Sequence, residues 1–414
     1  MELFENWQET KETLLEGLSE RKKAILAPVL ENQMQHLQET ATAGVNSAGA
    51  IGNFQKIVIP MIRRIIPGTI ATELVGVQPM SGPVGLVYSL RFLFSESVTA
   101  NHKPGTLVNP NDNITAGDEV FGHANPKLFR FYSSADAPVA SGSFPSGVTT
   151  SGGEAALTSD YEAFGGRAMT LEVLKQTVTA GSRKLQARWT PEAMQDLKAS
   201  HGLDLEAEIT ASLSAAVVSE IDNEIINDLI ALAGTTETFD MAGPMTGVPN
   251  YVGDRHAVLG VLINKVANEI ARRTRRGPAN WIVVSPLVVS VLQSASKSVF
   301  APAVSGSFEG PNNTKLVGTL NGSIKVYSYI YHNQGTEPIL LGFKGGSGEM
   351  DTGYFYCPYI PLMSSGVVVD PNTFNPHVSL MTRYGKATFT STATSLGNSA
   401  DYFGRISVAN LSFV

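Results

Sequence analysis

The residues best suited to chemistry in this sequence are few, and their spacing does not suit it. Gly342-Phe343-Lys344-Gly345-Gly346-Ser347-Gly348 gathers glycines around a lysine and a serine, the composition of a loop that cradles phosphate. Such a loop needs its lysine followed directly by Ser or Thr, and Gly345 follows Lys344. As a nucleophile elbow, Gly-x-Ser-x-Gly around Ser347 fails at Glu349. The stretch reads as a turn. Cys357, the single cysteine, stands among Phe355, Tyr356 and Tyr359, a setting for an inert buried thiol. Asn109 to Asn113 offers oxygen ligands but lacks the sharp-turn glycine and the closing glutamate of a calcium loop. The seven histidines never fall two within four residues, so no metal cluster and no cofactor site is expected. Arg272-Arg273-Thr274-Arg275-Arg276 is the strongest electrostatic feature. It has two readings, phosphate contact or cations set against a helix C-terminus and neighbouring acids. A net charge of −7 and the lack of interleaved aromatics favour the second.

The elements that would position these groups are clearer. Leu3, Trp7, Leu14, Leu18 and Ile25 recur at helical spacing in a segment where Glu2 to Glu39 holds eight acidic and four basic residues. This predicts an amphipathic helix ending near Pro28, packed on its own domain or on a partner, with Thr40 to Gly52 as a flexible link. Leu86, Tyr88, Leu90, Phe92 and Phe94 alternate as a strand with one apolar face, and Met169, Leu171 and Val173 form a second such run. Between them, fourteen of the twenty-one residues from Ser133 to Gly153 are Ser, Gly, Thr or Pro. That composition buries too little apolar surface to offset its ordering entropy, and a two-stranded arm is marginal alone in water.

Thr190-Pro191 caps a helix that stops at Gly202. Asp204 caps a longer one in which Leu205, Ile209, Leu213, Val217, Ile221, Ile225 and Leu229 repeat every four residues until Gly234; thirty residues would span roughly 45 Å. Arg255 to Arg276 is expected as a helix, Trp281 to Val284 as a buried strand, and Ser285-Pro286 as the cap of a further helix. Leu320-Asn321-Gly322-Ser323 is a hairpin signal of the type I′ kind. Three strands follow, at Tyr354 to Leu362, Val378 to Tyr384 and Ile406 to Phe413.

At 414 residues the chain is long enough for two or three domains. Its 16% of charged residues is low against about 25% in ordinary globular proteins. The acidic balance argues against a dedicated nucleic-acid binder, and one cysteine excludes an intramolecular disulfide framework. No apolar run approaches the roughly 20 residues of a membrane span, and the glutamate-rich start is not a signal peptide. These residues describe a soluble, multi-lobed, non-catalytic protein of a reducing compartment with two under-supported arms.

Several blocks carry a resemblance. Pro60 to Pro67, Gly76 to Met80, Gly85 to Arg91, Arg183 to Ala187, Gln195 to Gly202, Glu269 to Thr274, Met350 to Tyr354, Asp370 to Pro376, Thr382 to Gly385 and Tyr402 to Arg405 resemble, collinearly, the major capsid proteins of T-even-type tailed phages. The resemblance implies an α+β chain of the Hong Kong 97-type capsid fold. Its expected division is an N-terminal arm at 1–53, a first peripheral part at 54–91 and an E-loop with insertion at 92–171. A peripheral part with a spine helix at 172–233, an axial domain at 234–361 and closing peripheral strands at 362–414 complete it. The implied function is a shell of hexamers, with pentamers as an open point, enclosing double-stranded DNA without sequence-specific binding. Implied partners are further copies of the chain and portal, scaffold and decoration proteins, with no membrane. The implied location is the virion, after assembly in the host cytoplasm.

In this family the arms lie across neighbouring subunits. Arg272, Arg273, Arg275 and Arg276 become a candidate inter-subunit cluster. Relatives are often trimmed after hydrophobic-x-Glu, a pattern that Leu37-Gln38-Glu39 fits and Val29-Leu30-Glu31 fits less well; the expectation here is a retained N-terminal helix. No covalent cross-linking is expected. A fivefold-vertex paralogue and an encapsulin-type compartment shell share the fold, and an enzyme using Ser347 or Cys357 is the reading from another class.

Overall fold

The computed structural model describes residues 7–16, 20–42, 70–95, 116–117, 168–202, 204–241, 252–274, 276–294, 300–302, 315–329, 337–346, 351–389 and 398–411. Helices α1 (Trp7–Leu15) and α2 (Glu20–Thr42) come first. The helix expected to end near Pro28 instead runs straight through it. Interior proline costs a helix about 3 kcal/mol. Ile25, Leu26, Val29 and Leu30 around it are all buried in the main core. At roughly 1.5–3 kcal/mol for each fully buried aliphatic side chain, their packing outweighs the lost hydrogen bond.

A short helix α3 (Ala71–Leu74) and strand β1 (Gly76–Val77) lead to β2 (Val84–Phe94), which pairs antiparallel with β3 (Met169–Thr179) over its whole length as a two-stranded ribbon. The ribbon thus starts eight residues before the boundary expected at 92. Of the insertion between 105 and 165, only residues 116–117 are described. Strand β4 (Gly181–Arg188) follows, then α4 (Pro191–His201). The caps of α4 are those read from sequence: the Thr190 hydroxyl accepts from the Ala193 amide, and Gly202 turns left-handed at φ 67°.

The spine helix α5 (Leu205–Leu232) has 28 residues, about 42 Å. Asp204 caps it by accepting from the Glu206 amide. Leu213, Val217, Ile221, Ile225 and Leu229 are buried as their spacing predicts, and Val218, Asp222 and Ile226 are buried beside them. The helix stops where the Gly234 amide donates to the carbonyls of Ala400 and Phe403. A Cβ at Gly234 would lie 2.6 Å from the Ala400 oxygen, so the closeness of that approach requires glycine.

Two further helices, α6 (Val252–Thr274) and α7 (Pro286–Ser294), cover a seven-stranded sheet. Its strands are β5 (Thr235–Asp240), β6 (Trp281–Val284), β7 (Phe300–Pro302), β8 (Lys315–Leu320), β9 (Ile324–Ser328), β10 (Glu337–Gly342) and β13 (Phe403–Ala409). Their order is β5-β13-β10-β6-β9-β8-β7. Alternate residues feed two cores. Ile282, Val284, Leu341 and Ile406 pack under α6 and α7, whereas Trp281, Val283, Leu340 and Phe403 join the core that holds α5 and α2. Burial on both faces explains why Trp281–Val284 reads as an unbroken apolar run. The turn from β8 to β9 places Asn321 and Gly322 at φ 55° and 70°, the predicted left-handed pair.

A four-stranded sheet, ordered β1-β11-β12-β4, uses the long strands β11 (Tyr354–Val369) and β12 (Pro376–Thr388). The division expected at residue 361 falls inside β11. Strand β13, expected with the closing peripheral strands, pairs instead with β10 and β5 of the seven-stranded sheet. Local pattern identifies a strand; its partner is set by non-local pairing, which the pattern does not carry.

Candidate assembly surface

Cys357 and Lys344 are tied into the fold. Burial pushes the Cys357 thiol up to about 12, which keeps it protonated and inert at neutral pH. Ser347 lies outside the described residues. The glycine-rich turn after β10 delivers Lys344 to the interior, where its ammonium donates to the carbonyls of Thr72 (2.9 Å) and Val75 at the end of α3. That lysine is a strut joining the seven-stranded sheet to the segment that carries β1. Ser294 Oγ lies 2.6 Å from His256 Nδ1 and 3.0 Å from the Val291 carbonyl, so its hydroxyl is held within the fold by two partners. Among the described residues, no group of three or more His, Cys, Asp or Glu side chains could hold a metal ion. None of the described helices is long and apolar enough to cross a membrane.

Three of the four arginines near the end of α6 have acidic partners on their own chain. Arg272 and Arg273 bond Glu269, Arg273 also reaches Asp401 at 3.5 Å, and Arg276 pairs with Asp351 at 2.9 Å. Hydrogen bonds from Arg272 first, and then from Arg273, hold the Glu269 carboxyl below its usual range. Arg275 lies outside the described residues. Leu37-Gln38-Glu39 sits within α2, not in extended chain, as does Val29-Leu30-Glu31, whose Val29 and Leu30 are buried.

A polar network that sequence analysis did not single out fastens the spine to the four-stranded sheet. Glu220, Glu224 and Asp228 follow one another at four-residue spacing along α5; that stripe of carboxylates was the available signal. Arg183 of β4 donates to Glu220 (2.7 Å) and Glu224, and to the Tyr384 hydroxyl (2.8 Å). Lys386 of β12 bridges Glu224 (2.9 Å) and Asp228 (2.6 Å), and the Tyr354 hydroxyl donates to Asp228 (2.9 Å). Burial works against the Glu224 charge, but hydrogen bonds from Tyr384, Lys386 and Arg183 prevail and lower its pKa to about 2.

A carboxylate held that low stabilises the fold above its free pKa of about 4.5, and the contribution is lost as pH falls toward 2. Glu224→Gln is therefore expected to cost about 2 kcal/mol at pH 7 and to flatten part of the acid limb of the stability curve. Heat unfolding from pH 7 down to pH 2 checks it; an acid limb identical to the parent's contradicts the assignment.

The surface that stands out is the ribbon. Its underside is anchored where Val87 and Val178 pack with Met80, Phe355, Ala387 and Phe389. Among the described residues, its other face is exposed. Pairing Phe92 with Leu171 and Leu86 with Thr177 puts the even-numbered residues of β2 and the odd-numbered residues of β3 on one side. There Val84 is 60% exposed, Leu86 42%, Tyr88 49% and Phe92 49%, facing Leu171 at 54% and Val173 at 55%. The alternation read from sequence is thus real, but it points outward, with Phe94 the buried exception. Lys175 and Thr177 lie on the same face opposite Tyr88 and Leu86, but so many exposed large apolar side chains on one side are the mark of a contact surface.

Sequence comparisons with known proteins point to one family. The family model described as "Major capsid protein Gp23" matches residues 51–408. The major capsid protein of Vibrio phage KVP40 is 29% identical, over 99% of this chain and 100% of that protein. That of Salmonella phage ViI is 30% identical, over 84% of this chain and 79% of its own. A solved structure described as Microbacterium phage Oxtober96 is similar over 82% of this chain and 91% of that one, at 12% identity and a TM-score of 0.45.

Proposed function

Because this chain belongs to the Gp23 major capsid protein family, we propose that its copies join into hexamers of an icosahedral head that encloses double-stranded DNA, with pentamers of the same chain at the vertices as the extension of that plan. The protein is a structural component, and its side chains serve contact instead of turnover. The observation that carries this reading is the bare apolar face of β2 and β3. Among the described residues no second layer buries that face, and a neighbouring copy lying across it would supply one.

In this plan, which is that of the Hong Kong 97-type shell fold, α5 and the four-stranded sheet form the peripheral domain. The seven-stranded sheet with α6 and α7 forms the axial domain, and the ribbon with its insertion forms the extended loop. Portal, scaffold and decoration proteins are the expected further partners. The acidic net charge of −7 suits a wall that does not grip its cargo. Arg272 and Arg276, each nearly half exposed while paired, are a secondary contact for acidic groups of a neighbour.

The test is assembly of the purified chain, followed by electron microscopy and sedimentation. The parent is expected to form closed shells. Leu86→Ser, Tyr88→Ser and Phe92→Ser combined are expected to leave the circular dichroism spectrum and melting of the unassembled chain unchanged while raising the concentration needed for shells at least tenfold. A parent that stays a monodisperse monomer at every concentration, or a triple variant that assembles like the parent, defeats the reading.

The N-terminal helices are proposed to stay in the particle. Removing residues 1–39 would strip Ile25, Leu26, Val29 and Leu30 from the main core, a loss of roughly 6 kcal/mol or more. Mass spectrometry of purified particles should therefore find peptides from residues 20–36; particles whose first residue is 40 would contradict this.

A further inference from the structure

The ribbon leaves unexplained the far end of the β11–β12 hairpin, where the chain reverses between Val369 and Pro376. Asp370 organises this turn almost alone. Its carboxylate accepts from the Asn372 amide (2.9 Å) and the Thr373 hydroxyl (3.0 Å), its carbonyl accepts from the Phe374 amide (2.8 Å), and its own amide donates to the Asn375 carbonyl (3.1 Å). The outcome is a braced turn whose polar groups are largely spent on one another.

At its tip stands Phe374, held at φ 59°. This left-handed region is natural for Gly and tolerable for Asn, but strained for a bulky side chain. Phe374 is also 73% exposed, more than any other large apolar side chain among the described residues. Val367, Val368 and Val369 beside it are exposed as well. Along this stretch β11 pairs with β12 on one edge, and β1 reaches only Phe355 and Tyr356 on the other. A free copy thus carries backbone strain and apolar exposure at the same point, and neither improves its own fold.

We propose that the Phe374 turn is a docking knob that seats in an apolar recess on a second copy of this chain, at a contact distinct from that of the ribbon. The proposal rests on the shell reading, which supplies copies as the abundant neighbour. The chemistry of the tip points the same way. Asp370 is the one charged residue between Val367 and Asn375, and the nearest basic side chains, His377 and Arg188, already act on its carboxylate, so Phe374 itself stands in apolar company. An aromatic side chain flanked by β-branched aliphatics is the composition of a protein–protein contact centre. The braced geometry also means that little freedom remains to be lost on docking.

Two measurements test it. Phe374→Gly removes the knob and relieves the strain, so melting of the unassembled chain should hold or rise. The concentration at which half the chain enters particles should rise at least tenfold, and Phe374→Asn should behave alike. In assembled particles, benzoylphenylalanine installed at position 374 should cross-link between copies on illumination. Assembly of both variants at the parent's concentration overturns the knob. So does a cross-link within the same copy, for instance to residues 96–167, or to a different protein. If the parent forms no particles, the shell reading itself fails. If the parent assembles and the ribbon triple variant does not, while Phe374→Gly matches the parent, only the knob is lost.

Discussion

Gly342→Ala is expected to destabilise the fold by about 3 kcal/mol or more, as overpacking of a closed core does. Gly342 ends β10 directly opposite Trp281 of β6, and an added methyl would lie 2.1 Å from Cζ2 of the indole. The ring has nowhere to go. It is 2% exposed, sits in the main core beside Phe403 at a centroid separation of 6.1 Å, and belongs to a sheet buried on both faces. The check is a double-mutant cycle by urea unfolding. Trp281→Phe alone should cost stability through the space it leaves, but in the Gly342→Ala background it should recover part of the loss, giving coupling of about 1 kcal/mol or more. Strict additivity would mean that the indole does not occupy the space the methyl needs.

Asp222→Asn is expected to act in the opposite direction and stabilise the protein at neutral pH. Asp222 lies in the middle of α5 at 1% exposure. The Ile70 amide donates to its Oδ1 at 3.0 Å, while Oδ2 has no hydrogen-bond partner. Burial raises its pKa to about 8, with the Ile70 hydrogen bond pulling weakly the other way. The sign follows from the proton count. Between the unfolded value of 3.8 and the folded value of about 8, the folded state keeps a proton that the unfolded chain has released. Stability therefore falls as pH rises through that window, at about 1.4 kcal/mol per pH unit. At pH 7 this amounts to roughly 4 kcal/mol that an asparagine, which never ionises, does not lose. Melting of parent and variant at matched concentration should converge near pH 4 and diverge toward pH 8. A variant less stable than the parent at pH 7 would show that the carboxyl is ionised and held.

How much of this could be read beforehand depended on how local the cause was. The caps at Thr190, Asp204 and Gly202, the four-residue repeat of α5 and the Asn321-Gly322 turn all rest on neighbours within a few residues, and each is where the sequence places it. The helix through Pro28 needed tertiary burial to overrule a local breaker. Strand β13 between β5 and β10 needed partners more than sixty residues away. The ribbon's alternation was legible but its direction was not, because period two states that a strand has two faces without saying which is wet. Asp222 could have been flagged, since it shares a stripe with Val218 and Ile226. Phe374 could not, because a left-handed backbone at a phenylalanine has no sequence signature.

The position of β13 bears on synthesis. Residues 403–409 are the last strand of the described chain, yet they lie between β5 and β10 and hold the spine end through Gly234. Until the ribosome has released them, β5 has no partner and β10 presents a raw edge, so translation products cut short before residue 403 cannot complete the body on which ribbon and hairpin are mounted. A product that stops short of β13 is therefore expected to leave the β10 edge and the end of α5 uncovered, a species prone to aggregation.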